Sequence, residues 1–166
     1  MSTVNGLPAH VLLVHIVVVL VPLTALALVA AALWPPAARR LGVLLPSLAL
    51  VALASVPLTM QAGDWLERHV TADALVSRHT ALGDELLPWT VGLFVLATVV
   101  WWAARRGTAE ADRSVAGRLS GLPVRIVVGV LSVAVAAGAV VDVYRIGDSG
   151  AKAAWHDAYD KTAQGN

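Results

Sequence analysis

The 166-residue chain is 58% hydrophobic and only 14% charged, with a formal net charge of +1, whereas a soluble domain carries about a quarter charged residues. No basic stripe follows the chain, so no nucleic-acid partner is expected. The absence of cysteine removes disulfides, thiolate metal sites, iron–sulfur clusters and covalent c-type haem, leaving histidine as the soft ligand for any cofactor.

The missing charge lies in long uncharged runs. A bilayer core about 30 Å thick needs roughly 20 apolar residues in a helix, and four runs meet that length. The first covers residues 10–34 and is stopped by Trp34-Pro35-Pro36. Residues 41–62 form the second, ending at Gly63-Asp64. The third, 86–104, ends at Arg105-Arg106, and the fourth, 122–144, at Arg145-Ile146-Gly147. The runs are continuous and do not alternate, which favours an all-α, polytopic four-helix bundle over a membrane barrel. Residues 73–87 read as a helical extension leading into the third span. Residues 145–166 read as a tail, with Gly147 to Gly150 as a turn and Ala151 to Tyr159 as a short surface helix presenting Trp155 and Tyr159. The tail before the first run, Met1 to Pro8, has no Lys or Arg, so the first run reads as an uncleaved anchor.

Orientation follows from the basic residues in the connections. Arg39, Arg40, Arg105, Arg106, Arg113, Arg118 and Arg125 fall on one side with only Glu110 and Asp112 as acids. The other side carries five bases and nine acids. The basic side is expected in the cytoplasm, with both termini on the outer side of a bacterial plasma membrane. Pro22, Pro46, Pro57 and Pro88 each free a carbonyl within or near a span, and Thr24, Ser55 and Thr59 stand where a hydroxyl could compensate. Gly129, Ser132, Ala136 and Gly138 permit close helix approach.

All five histidines, His10, His15, His69, His79 and His156, fall on the expected outer half. His15 lies inside the first span, where a polar side chain needs a partner, a cavity or a cofactor. At 100° per residue His10 projects about 140° away from it, so one straight helix cannot place both on one metal. His10 then reads as a cofactor-edge contact or as an interfacial residue at the helix start. His79, Gly83, Leu86, Thr90 and Ala97 share one helical face, and its short side chains leave room below His79 for a flat macrocycle or a close helix. His69 and His156 read as interfacial, and Asp142 with Arg145 as an i, i+3 ion pair. No Lys, Arg, Asp or Glu stands in the middle of a span, which argues against a proton pump or a charged-substrate transporter. No nucleophile elbow, Walker loop, zincin motif or dinucleotide fingerprint occurs.

Three stretches resemble the domain-of-unknown-function 2231 family of bacterial membrane proteins, in its actinobacterial style. They are Gly6-Leu7-Pro8-Ala9-His10-Val11-Leu12-Leu13-Val14-His15, His79-Thr80-Ala81-Leu82-Gly83 and Val143-Tyr144-Arg145-Ile146-Gly147. In the first, Val11 stands where the family usually has proline, and Ile16-Val17 where it has Phe-Pro. The resemblance covers nearly the whole chain and implies a four-helix bundle, but it implies no activity.

Three functional expectations follow. The sharpest is a haem b, or another metal cofactor, used in electron transfer, with His15 and His79 as axial ligands and His10 and Gly83 completing the pocket. The second is a non-catalytic accessory subunit of a larger, for example respiratory, membrane complex, or a homo-oligomer. The third is a copper or zinc site built from His10, His15, His69 or His79. In each case the lipid bilayer is the common partner.

Overall fold

The computed structural model describes residues 3–4, 6–70, 73–106 and 121–155. A two-residue antiparallel pair, β1 (Thr3–Val4) with β2 (Leu7–Pro8), precedes five helices. These are α1 (Ala9–Leu33), α2 (Pro35–Leu41), α3 (Leu44–Glu67), α4 (Ala74–Arg106) and α5 (Leu122–Trp155). The four long helices meet the length and composition needed to cross a membrane.

Local chemistry explains the breaks. Pro35 disfavours helical backbone at the residue before it, and Trp34 is extended at φ −125°, ψ 99°. Pro35 then begins α2, where a missing N–H costs nothing. Gly42, at φ +51°, ends α2 in a conformation side-chain-bearing residues avoid. The chain thus turns within ten residues and sends α3 back beside α1.

The long helices form a square ring: α1 packs on α3, α3 on α4, α4 on α5 and α5 on α1. Lipid offers no hydrophobic drive between helices, so close packing must hold them together. The interior is accordingly built from small residues, among them Ala25, Ala49, Ala52, Ala97, Ala136 and Ala139, around Val21, Leu28, Leu45 and Leu93. The outside is apolar, with Leu26 69% and Val130 63% exposed. This inversion of the soluble pattern identifies the solvent as hydrocarbon. The chain is a multi-pass membrane protein.

Helix α4 is continuous from Ala74, in keeping with the reading of residues 73–87 as a helical extension; at about 50 Å, 1.5 Å per residue, its first turns overhang a 30 Å hydrocarbon layer. Two details differ from the reading of the sequence. Helix α5 does not stop at Gly147 but runs through Gly147-Asp148-Ser149-Gly150 to Trp155. Packing overrides the weak helix propensity of those two glycines. The hydroxyls near the prolines also serve other carbonyls: Ser55 Oγ donates to Ala52 O at 2.7 Å, and Thr59 Oγ1 to Ser55 O at 2.8 Å. The carbonyl freed by Pro57 is that of Leu53, so neither hydroxyl compensates it directly. Thr24 Oγ1 is buried with no hydrogen-bond partner. Tyr159, His156 and the connection 107–120 lie outside the described residues.

A paired-histidine candidate site

The start of α1, the end of α3, the start of α4 and the end of α5 gather at one end of the bundle. His10, in the first turn of α1, reaches across to α3, where its Nδ1–H donates to the Thr59 carbonyl at 3.0 Å. A carbonyl only accepts, so Nδ1 carries the proton and Nε2 keeps the lone pair. His79, on α4, reaches across to α5. Ser149 Oγ donates its own hydrogen to Ile146 O at 2.8 Å, and it lies 3.0 Å from His79 Nδ1. With its hydrogen so used, Ser149 accepts from His79 Nδ1–H, and His79 Nε2 is the basic nitrogen.

The two rings then meet edge to face, with centroids 6.1 Å apart and planes at 83°. Both are half-buried. Each lies against a glycine of the helix that anchors it. A Cβ on Gly63 would stand 3.1 Å from His10 Nδ1, and one on Gly150 would stand 2.9 Å from His79 Cε1. Gly150→Ala is therefore expected to push the His79 ring off Ser149 while leaving the fold intact. A shift of the His79 ring resonances, with unchanged helix content by circular dichroism, checks this; unmoved resonances would refute it.

The other candidates are placed differently. His15 is exposed on the lipid side of α1, where Nδ1–H donates to the Val11 carbonyl of its own helix at 2.6 Å. The structure thus seats His10, and not His15, opposite His79. Gly83 lies one turn below His79, half-buried, and a Cβ there would meet nothing within 4 Å. Leu86, Thr90 and Ala97, further along that face, are buried in the bundle. His69 is exposed, stacks on Trp65 at 4.0 Å and bonds the Trp65 carbonyl.

Asp142 is 2% exposed two turns below Ser149, and neither carboxylate oxygen has a hydrogen-bond donor. Its ionic partner is Arg145, 3.8 Å away, which also faces Glu85 at 3.5 Å. A groove between α4 and α5, lined by Arg78, Tyr144 and Lys152 among others, reaches Ser149 from outside. Among the described residues no third His, Cys, Asp or Glu joins the pair to make a metal cluster.

Thr59, Gly63, Ser149 and Gly150 were not singled out for the site from the sequence. Ser149 and Gly150 carried a usable signal, for if α5 is continued past Arg145, Ser149 falls seven residues after Asp142 on the same face.

The fold and this end define a four-helix integral membrane protein with a paired-histidine site. Residues 6–163 match the family described as "predicted membrane protein (DUF2231)", and the chain belongs to that family. Comparison with curated proteins and with solved structures returned no match.

Proposed function

We propose that His10 and His79 form a two-histidine metal centre used for electron transfer, with the histidine end facing outward from a bacterial plasma membrane. The observation that carries this reading is the double anchoring. Each Nδ1–H is held by a partner on a neighbouring helix, leaving each Nε2 basic. Metal-ligating histidines are held in the same way, by a hydrogen bond from the nitrogen remote from the metal. The rings are also close, with centres 6.1 Å apart, which is within reach of one ion given metal–nitrogen bonds of about 2 Å.

Two imidazoles without a third protein donor suit few metals. One is copper(I) in a two-coordinate setting; the other is haem iron, whose macrocycle supplies four further nitrogens. Gly63 and Gly150 lie close against the rings and favour a bare ion, while the unfilled space at Gly83 is where the edge of a haem b would go. Either centre, when bound, supplies one-electron chemistry. The chain's own part is to hold both rings at fixed orientation and to admit exchange along the groove that ends at Ser149.

The test is elemental analysis and an absorption spectrum of the full chain purified in detergent, with copper(I) added to a parallel sample. One copper per chain is expected. A visible haem band instead would assign the macrocycle to the same pair. Binding neither would overturn the proposal. Because protons compete with metal for Nε2, occupancy is also expected to fall as pH is lowered and to return on neutralisation. A dialysis series across pH 7 to 5 checks the sign.

His15 favours a second reading, membership of a larger membrane complex. An exposed imidazole on the lipid side retains an Nε2 with nothing among the described residues to meet, and a hydroxyl from an adjoining membrane subunit would satisfy it. On this reading His15→Leu weakens co-purification of that subunit and leaves metal content unchanged.

A further inference from the structure

At the opposite end of the bundle arginine is the only charged side chain among the described residues. We infer that it binds the headgroup of an anionic phospholipid, at the edge formed by α2 and the last turn of α4. Arg39 and Arg40 end α2, and Arg105 and Arg106 end α4. Helix α2 packs on α4 as well as on α1. Its Ala37 and Ala38 are buried against the bundle, and this turns Arg39 and Arg40 outward into exposure.

Trp102 places the Arg106 side chain. The Arg106 guanidinium lies 3.6 Å above the centre of the Trp102 ring, and that of Arg105 lies 5.7 Å from Trp101. Stacking occupies the face of a guanidinium and leaves the N–H groups along its edge pointing outward. A planar fork of donors at the level of an interfacial tryptophan matches the oxygens of a phosphodiester.

The charge balance points the same way. The described residues of this end, 30–46, 98–106 and 121–128, contain no Asp or Glu. Arg39, Arg40 and Arg106 make no ion pair with a described residue. At the histidine end, by contrast, Arg145 meets Glu85 and Asp142, and Lys152 meets Asp148. Cations paired within the protein have little left to offer a lipid; Arg39, Arg40 and Arg106 have no such pairing among the described residues. A zwitterionic headgroup brings its own ammonium and gains less from such a site, so an anionic lipid is the occupant.

The experiment uses the full chain in detergent, equilibrated with equal amounts of phosphatidylglycerol and phosphatidylcholine and read by native mass spectrometry. Phosphatidylglycerol should be retained preferentially, and the preference should fall as salt is raised. Each arginine near a charged lipid surface contributes about 1 kcal/mol, roughly fivefold in binding. The double variant Arg39→Gln, Arg40→Gln should therefore lose about 25-fold in retention. Lys152→Gln, at the other end and paired with Asp148, should lose nothing. No preference in the wild type, or equal losses at the two ends, would overturn the assignment. Should the double variant fail to fold, Arg40→Gln alone and the salt series of the wild type decide it, since an occupant held by shape would ignore salt.

Discussion

Replacing His79 by alanine is expected to abolish metal binding, with affinity falling at least about 100-fold, beyond the 10- to 100-fold typical when only an outer hydrogen-bond partner is lost. The reasoning is geometric. His79 provides one of two basic nitrogens, and no other His, Cys, Asp or Glu among the described residues completes a cluster that could replace it. His10→Ala should match it, because a two-ligand centre does not survive with one. His15→Ala should leave affinity unchanged, since that ring is bonded to the backbone of its own helix and faces away. Ser149→Ala is the graded case. It removes the acceptor that holds His79 Nδ1–H, so a loss smaller than that of His79→Ala is expected. Copper(I) titration of the four variants, each checked for helix content, separates these outcomes. Equal affinity in His79→Ala and wild type would refute the centre.

The largest effect on stability should come from Leu93→Ala. Leu93 is 1% exposed on α4, among the core side chains of the ring of helices. Removing its branched end leaves a cavity that four packed helices cannot close, and such truncations cost about 2–5 kcal/mol. In hydrocarbon the transfer part of that cost shrinks, but the loss of contacts remains, and contacts are what hold these helices together. Unfolding in mixed micelles by a denaturing detergent should therefore shift to clearly lower concentration. Metal stoichiometry below the transition should be unaltered, because the site lies at the bundle's end. A change in stoichiometry with no change in stability would contradict this separation of core and site.

The sequence announces the bundle because lipid imposes it. Four long apolar runs, closed by a proline pair, by Gly63-Asp64 or by arginines, leave little else for the chain to form. The histidine pair was harder to read. Helix α1 is apolar on every side, so it has no polar stripe to fix which face turns inward. Choosing between His10 and His15 then rests on what an imidazole in lipid would cost. That cost is lowered locally by the Val11 carbonyl, an interaction no spacing rule reveals. The site's other half was obscured by Gly147-Asp148-Ser149-Gly150, whose composition signals a turn. There the glycine belongs to the helix because His79 occupies the place of its side chain.

The two crossed tethers, His10 to α3 and His79 to α5, make the pair a clasp whose jaws belong to four different rods. An ion caught between them would knit α1, α3, α4 and α5 at one stroke. Filling and emptying it would be felt as a tightening or slackening of the whole barrel of helices, and not only as a change of colour.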